Sequence, residues 1–301
     1  MIQFLTAHPQ LLLFVRTLFQ SVWMLVVLTI IFAPFEVFCA ERRTKFFYPG
    51  FAVDLGWYFL NALAIAFVLA PPMLLIVKAT HALLPSALTG FGAHLPLWLR
   101  MIAAMVVGEI GFYWGHRWSH EIPFLWRFHA VHHSARHVGF LVNTRAHPVD
   151  LIFTRVCGFT LLFATGLGDA AGSKPGLVVA AILFIGSVWS YFVHANIRVR
   201  LGPFEEVLSS PFFHHWHHTK LDHKDHNYAS MLPVMDRVFG TFYSPKHWPA
   251  EYGIEAEMAE SLPAQLFDPL LARRDDQAAD VRAVTQQERS ATPLGGREQA
   301  G

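Results

Sequence analysis

The sequence has little charge and little cysteine. Of its 301 residues, 15% are Asp, Glu, Lys or Arg, whereas 53% are hydrophobic and 27 are Phe. A chain with so few charged side chains is not expected to be a soluble enzyme. Its formal net charge of +1 lacks the clustered basic excess of a nucleic-acid-binding protein. Two cysteines, Cys39 and Cys157, are too few for a disulfide scaffold or a thiolate metal site.

Long apolar stretches indicate a membrane protein. A hydrocarbon layer ~30 Å thick requires about 20 residues of helix. Pro71 and Pro72 are expected to kink the second stretch, and Arg155 shortens the fourth, so the fourth and fifth form either two spans or a re-entrant pair. The five stretches cover residues 18–35, 55–77, 95–113, 151–167 and 177–193.

Basic residues predict the orientation of these spans. Arg42, Arg43 and Lys45 follow the first span, so that end is expected to face the cytoplasm. Alternation of the later spans then brings every histidine cluster to the cytoplasmic side. We therefore predict an all-α, multi-pass integral membrane protein with four to five transmembrane helices and a cytoplasmic helical cap that holds a metal site. We place it in a bacterial inner membrane rather than in an organelle.

The composition changes near the C-terminus. From Arg273 onward the chain is polar and poor in aromatic and β-branched residues, so we expect residues 273–301 to be a disordered tail. We divide the rest into N-terminal transmembrane helices at 1–107, a catalytic region at 108–245 with a helical hairpin at 151–195, and a C-terminal extension at 246–272.

Histidine is abundant, with 18 residues, and eight of these fall into three clusters. Residues three or four apart lie on one face of a helix, so each cluster can direct its rings toward one point. Core packing alone does not require a repeated H-x2-H-H pattern. The clusters are H-x3-H at His116 and His120, H-x2-H-H at His129, His132 and His133, and H-x2-H-H again at His214, His217 and His218.

Eight imidazoles predict two metal ions. Neutral imidazole binds Zn, Cu, Fe or Ni, and one tetrahedral site uses only four ligands. Paired metals are an established catalytic arrangement. His147 and His194 lie at the two ends of the predicted hairpin, facing the same side, and would bring the number of ligands to ten.

Taken together, these motifs resemble the fatty acid hydroxylase superfamily, also called the sterol desaturase family. The resemblance covers about residues 108–242. It includes the three histidine clusters in family order, Asn227-Tyr228, and the ending Met-Asp-Arg-Val-Phe-Gly-Thr at 235–241. Family members also pair an Arg-x-His-Pro element with a His-x-Asn element, which match residues 145–148 and 194–196. Some members have a further histidine where this chain has Ser190.

The resemblance implies a membrane enzyme with a non-haem di-iron centre that uses O2 and two electrons to hydroxylate or desaturate a fatty acyl chain or sterol. Zinc is a possible substitute for iron in a structure. No G-x-G-x-x-G fingerprint occurs, so electrons must come from an external donor, either a ferredoxin or a b-type cytochrome with its reductase. The spans offer Phe, Leu and Val linings without a cationic pocket, which indicates an apolar lipid substrate.

Residues around the ligands are also candidates. A metal-bound imidazole usually donates its second N–H to a carboxylate or carbonyl. Asn227 is either such a supporting group or a turn former. The supporting candidates are Asp150, Asn196, Asp222, Asp225, Asn227 and Asp236.

Glu109 is the candidate catalytic residue. It lies seven residues before His116, on the same helical face, within a predicted span. An ionisable residue in a span points to function. The alternative is an ion pair with Arg100 or another cation near the membrane interface.

Two other functions use the same histidines. A membrane metal carrier or sensor would need ligands along a path through the bilayer, whereas these clusters gather at one end. A metal-dependent lipid hydrolase would need a metal-bound water and a general base such as Glu109. Hydroxylation, desaturation and ether-lipid cleavage remain open within the oxygenase hypothesis.

Overall fold

The computed structural model describes residues 8–169, 176–220 and 223–271. The predicted tail at 273–301 and Asp222 lie outside these residues. Within them the structure is helical and has no β-strand, only an antiparallel bridge between Thr219 and Tyr252. The α-helices are α1 (Pro9–Phe38), α2 (Phe51–Val68), α3 (Ala70–Leu83), α4 (Ser86–Thr89), α5 (Leu97–Glu121), α6 (Pro123–His133), α7 (Pro148–Ala164), α8 (Leu177–His194), α9 (Pro211–His217), α10 (Val234–Phe239) and α11 (Leu262–Leu271); 3-10 helices lie at Phe91–His94, Phe140–Thr144 and Gly202–Glu206.

Three of the described helices, α1, α5 and α8, are long and apolar enough to cross a membrane. The other two predicted spans are also helical, but neither forms one long helix. The second divides between α2 and α3, because Pro71 and Pro72 fall in the first turn of α3, where a missing backbone N–H costs no hydrogen bond. The fourth forms α7, which has 17 residues. The all-α prediction is confirmed.

Glycine allows α5 and α7 to pack closely. A Cβ atom on Gly111 would lie 2.5 Å from the Cys157 carbonyl oxygen and 2.7 Å from the Gly158 Cα. Gly108 and Gly115 lie on the same face of α5, three and four residues away, and contact Leu162 and Cys157 respectively. This small-residue face lets the two backbones approach each other, as in membrane helix pairs.

The two ends of the bundle are held by polar contacts. At one end, the Glu36 carboxylate of α1 accepts hydrogen bonds from the Phe140 backbone N–H at 2.8 Å and the Asn196 N–H at 2.9 Å. At the other end, the buried Arg100 guanidinium donates to the carbonyls of Gly166 and Leu167 at 2.9 and 3.0 Å. The first end is where the histidine clusters meet.

Proline begins three of the helices that contribute to the site. Pro123, Pro148 and Pro211 occupy the first turns of α6, α7 and α9. A proline is favourable there because its fixed φ suits a helix and it has no N–H to leave unpaired. The break at Ile122 turns the chain between the first and second histidine clusters, so that α6 packs back against the end of α5.

Candidate metal centre

Nine histidines assemble into two groups at the C-terminal ends of α5, α6 and α8 and on α9. Within each group, one nitrogen from every ring lies within 4.8 Å of the others. The first group contains His116, His120, His129, His133 and His217; the second contains His132, His194, His214 and His218.

Adjacent histidines divide between the groups. His132 and His133 are neighbours in sequence but contribute to different groups, and so do His217 and His218. Consecutive residues on a helix point about 100° apart, so an H-H pair at the boundary can direct one ring to each side. The His133 and His218 rings stack across the boundary with their centroids 4.6 Å apart. The repeated H-x2-H-H pattern thus builds two adjacent sites.

Most rings have their Nδ1 atom held by an oxygen that can only accept. In the first group, Nδ1 of His116 faces the Tyr228 carbonyl at 2.7 Å and Nδ1 of His217 faces the His226 carbonyl at 2.8 Å. In the second, Nδ1 of His132 faces the Arg145 carbonyl at 3.0 Å and Nδ1 of His194 faces the Ser190 carbonyl at 2.7 Å. Nδ1 must therefore carry the proton, and Nε2 is left with a lone pair.

Carboxylates hold two further rings. Nδ1 of His129 donates to Asp150 at 3.0 Å, and Ser119 donates to the other oxygen of Asp150 at 2.9 Å. Nδ1 of His120 donates to Asp225 at 3.1 Å. These contacts fix the ring orientation and make each Nε2 more electron-rich, as carboxylate partners do for metal-bound imidazoles.

The Nε2 atoms converge without a proton to share. The Nε2 atoms of His116 and His129 lie 3.1 Å apart, and those of His132 and His194 are also 3.1 Å apart. Each of these four atoms has a lone pair, because its Nδ1 is the donor. Lone pairs that face each other at this distance repel unless a cation lies between them, so the geometry fits a metal ion in each group.

Buried ring nitrogens without hydrogen-bond partners also indicate a metal site. Within the described part of the chain, Nε2 of His120 and Nε2 of His217 are buried and have no hydrogen-bond partner. An unsatisfied buried polar atom costs about 1–3 kcal/mol. Metal coordination would satisfy both atoms.

Burial also keeps the rings in the metal-binding form. Loss of hydration lowers the pKa of His133, His217 and His218 well below 6.5, and the neighbouring histidines lower it further. The rings therefore stay neutral at physiological pH, and a neutral imidazole is the form that binds metals.

His147 lies in neither group, unlike the other nine predicted ligands. Its Nδ1 accepts a hydrogen bond from the Val149 N–H at 3.1 Å, and its Nε2 faces the Leu266 carbonyl at 3.0 Å. Both ring nitrogens are therefore used to cap α7 and to hold α11. Sequence position put His147 at the correct end of the hairpin but did not specify the direction of its ring.

Glu109 holds the backbone of a loop. Its Oε1 accepts hydrogen bonds from the N–H groups of Met231 and Leu232 at 2.7 and 3.1 Å, and its Oε2 accepts one from the Ser230 hydroxyl at 3.2 Å. It pairs with neither Arg100, which binds carbonyls, nor the histidine groups. The structure therefore shows an anchoring contact where the sequence suggested a catalytic residue or an ion pair.

The remaining supporting candidates act on the backbone. Asp236 accepts from the N–H groups of Tyr228 and Ala229 at 2.7 and 2.9 Å, and so orients the Tyr228 carbonyl that receives His116. Asn227, at φ +58°, donates to the carbonyls of Phe213 and Tyr243. Asn196 bonds both backbone polar groups of Arg42. None of the three contacts an imidazole directly.

Sequence reasoning missed the aromatic wall of the first group. The Tyr228 ring is buried and lies 5.1 Å from the His120 ring and 5.8 Å from the His116 and His217 rings, centroid to centroid. The only sequence signal was its place in the Asn227-Tyr228 motif. Backbone carbonyl partners leave no signal in the side-chain sequence.

A cavity of about 570 Å³ lies beside the second group, among α1, α2, α5, α7 and α8. It reaches Ala146 and Ser190. The Ser190 carbonyl holds His194, and the carbonyl of Arg145, next to Ala146, holds His132. Its volume is within the usual range for a small-molecule site.

The chain matches one protein-family model, described as fatty acid hydroxylase, over residues 101–241. This match includes all nine grouped histidines. It also ends at Thr241, the last residue of the motif noted in the sequence.

Several curated proteins are similar to part of this chain. The chain is 32% identical over 179 residues to the ornithine lipid hydroxylase of Rhizobium tropici, covering 58% of this chain and 51% of that protein. It is 31% identical over 135 residues to human alkylglycerol monooxygenase, covering 44% of this chain and 28% of the relative. It is 28% identical over 153 residues to a methylsterol monooxygenase of Arabidopsis thaliana, covering 49% and 55%.

These alignments cover about half, or less, of the relatives' own length. No solved structure matches the chain.

Proposed function

We propose that the protein is a membrane-bound, O2-dependent oxygenase of the fatty acid hydroxylase superfamily that hydroxylates or desaturates a lipid, on the premise that residues 101–241 match the family model of the fatty acid hydroxylases. The observation that carries the proposal is the pair of buried imidazole groups with converging Nε2 lone pairs. Metal transport would instead need ligands along a path through the bilayer, whereas both groups lie at one end of the bundle.

Two iron ions would be held by the nine grouped histidines, five in the first group and four in the second. When bound, they would activate O2 and oxidise a C–H bond. Zinc is a plausible substitute, because imidazole sites exchange divalent metals. His147 is not part of this ligand set, since both of its ring nitrogens are used elsewhere.

The chain's own residues orient the ligands and exclude water. Asp150, Asp225 and four backbone carbonyls keep the proton on Nδ1 of six ligand rings, which leaves Nε2 free for the metal. The buried Tyr228 ring packs beside three rings of the first group. Neither role requires a catalytic carboxylate, so Glu109 is proposed as an anchor for residues 230–232.

The substrate is proposed to be a lipid. Three relatives carry names that describe hydroxylation or mono-oxygenation of lipids: an ornithine lipid, an alkylglycerol and a methylsterol. In this chain the cavity between the helices has apolar walls that include Met24, Phe112 and Ile182. It reaches residues next to the second histidine group, so a hydrocarbon chain in the cavity would pass close to that group.

The basic residues after α1 indicate which end of the bundle faces the cytoplasm and where an electron donor docks. Arg42, Arg43 and Lys45 come just after α1, so we propose that the histidine end faces the cytoplasm. Because no dinucleotide or flavin fingerprint occurs in the sequence, an external ferredoxin or b-type cytochrome with its reductase is proposed to deliver electrons at that basic face.

The test compares lipid mass spectra from cells that express the intact protein with spectra from His132→Ala and His217→Ala variants, one for each group. His94→Ala is the matched control, because His94 is exposed and lies in neither group. We expect an O2-dependent lipid in the intact and control cells only. A mass gain of one oxygen atom identifies hydroxylation, and a loss of two hydrogen atoms identifies desaturation.

Metal analysis of the purified protein separates the competing functions. Iron in the intact protein, lost in both cluster variants, supports the oxygenase. If the purified protein instead contains zinc and forms product under anaerobic conditions, the result would favour a metal-dependent hydrolase over the oxygenase. No lipid difference, in cells that supply electrons and O2, would overturn the proposal in favour of a metal carrier or sensor.

A further inference from the structure

A half-buried arginine lines the proposed lipid cavity without a counter-charge. Arg155 lies in the second turn of α7, and its side chain borders the cavity of about 570 Å³. Its Nε atom is buried and has no hydrogen-bond partner in the described part of the chain. No carboxylate among the described residues forms an ion pair with it.

A guanidinium in this position needs an acceptor. Arginine remains charged at all physiological pH values and has five N–H donors and no acceptor. A charged group among apolar helices is costly without a partner, so it is usually paired. Elsewhere in the chain the buried arginines have partners: Arg100 binds three carbonyls and Arg145 binds Asp54 at 2.5 Å.

Two other polar side chains of the cavity wall, Glu109 and Asn61, form no hydrogen bond with Arg155. Glu109 also lines the cavity, but its two oxygens accept three hydrogen bonds from residues 230–232. Asn61 lines the cavity as well, and donates to the carbonyls of Thr144 and Ala146. Its own Oδ1 is buried and forms no hydrogen bond with Arg155 or with any other described residue.

We propose that Arg155 binds the anionic group, a carboxylate or a phosphate, of a lipid that occupies this cavity. Planar guanidinium matches either group with two parallel hydrogen bonds. The inference rests on the proposed lipid oxygenase and specifies its substrate class. It also revises the sequence-based expectation of a cavity without a cationic group, because spacing alone did not tell which way Arg155 projects.

The position of Arg155 would set which carbon reacts. Arg155 is seven residues into α7 from Pro148, or about 10 Å along the helix axis. The cavity runs from this level to Ala146 and Ser190, beside the second histidine group. An anion held at Arg155 fixes how far along the cavity the hydrocarbon lies, and so acts as a specificity determinant.

The test is equilibrium binding of three radiolabelled probes to the metal-free, full-length protein in detergent micelles. Oleate supplies a carboxylate, oleyl phosphate supplies a phosphate, and oleyl alcohol has the same chain without charge. At a pH where the carboxylate is ionised, we expect one or both anions to bind at least about tenfold more tightly than the alcohol.

Two Arg155 variants test whether this side chain causes the preference for anionic probes over the alcohol. Arg155→Met is expected to reduce the anion-to-alcohol affinity ratio to about one, and Arg155→Lys to keep most of it, since the charge remains. Arg198→Met is the matched control, because Arg198 is exposed and does not line the cavity. It should keep the full ratio.

Two results would overturn the proposal. One is an intact protein that binds all three probes equally, a result that needs no variant to fold. The other is an anion preference that survives in Arg155→Met. Because binding is measured without metal, failure of the oxygenase proposal would leave an anion preference intact, and the two failures can be told apart.

Discussion

At the scale of the residue, the proton position on each imidazole decides what the site can do. Six of the nine grouped rings have Nδ1 facing a carbonyl or carboxylate, which leaves Nε2 as a ligand atom. A ring with the opposite tautomer would present an N–H to the metal. The partners of Nδ1 are therefore as important as the histidines themselves.

Replacing Asp150 tests this idea. Asp150→Asn keeps the shape but removes the charge that Nδ1 of His129 faces, so we expect the first group to bind iron about 10- to 100-fold more weakly. Chelator titration with elemental analysis measures the change. Asp169→Asn is the control, since Asp169 pairs with His81 away from both groups. Equal iron retention by both variants would contradict the prediction.

Glu109 gives a second prediction, which separates anchoring from catalysis. Glu109→Gln retains an oxygen that accepts from Met231 and Leu232, so we expect lipid oxidation to continue at near the intact rate. Glu109→Ala leaves buried donors unsatisfied and should lower the free energy of unfolding by about 1–3 kcal/mol. Product formation and thermal unfolding are measured together. If Glu109→Gln folds stably but forms no product, Glu109 has a catalytic role and not only an anchoring one.

At the scale of the element, the approach of α5 to α7 positions the first two ligands. His116 and His120 lie at the end of α5, and Asp150, which holds His129, lies in the first turn of α7. Any separation of these helices moves Asp150 away from the ligands. Glycines at 108, 111 and 115 make the close approach possible.

Gly111→Ala is expected to be destabilising. Its new methyl group would collide with the backbone of Cys157 and Gly158, at 2.5 and 2.7 Å, where no flexible side chain can move aside. We expect a loss of about 1–3 kcal/mol, seen as a lower Tm in detergent. Gly186→Ala is the control, because nothing lies within 4 Å of a Cβ at Gly186. Equal Tm values for the two variants would show that the helices can separate freely.

At the scale of the whole molecule, the two groups join segments far apart in sequence. The first group connects α5 and α6 with His217 of α9, and the second connects α6 with α8 and α9. A metal ion that binds these ligands only when the chain is folded adds its binding free energy to stability. The metals are therefore expected to stabilise the bundle as well as to react.

Removal of metal should lower the Tm. With metal in about 100-fold excess over its Kd, one site contributes roughly 2.7 kcal/mol, so chelation at both groups should lower the Tm by roughly 5–10 °C. Differential scanning fluorimetry with and without a chelator measures this, and added Fe²⁺ should restore it. A protein carrying both His132→Ala and His217→Ala should respond less. An identical chelator effect on that variant would place the stabilising ion elsewhere.

The sequence alone determined the helical class, the resemblance to fatty acid hydroxylases over residues 101–241 and most of the candidate ligands. Helical periodicity, apolar run length and histidine spacing are local properties, so they are readable from neighbouring residues. Eight clustered histidines and His194 all fall in the two groups. Asp150 and Asp225 were also predicted as supporting residues, and each faces an imidazole.

Only the tertiary structure decided which histidines share a group and which side chains face the cavity. The direction of a ring depends on packing between distant elements, such as α9 against α8, and residue spacing along the chain does not specify that packing. His147 turned to cap α7, Glu109 to hold a loop, and Arg155 into the cavity for this reason. Backbone carbonyls, which hold four of the ligand rings, have no side-chain identity to read and are placed only by the fold.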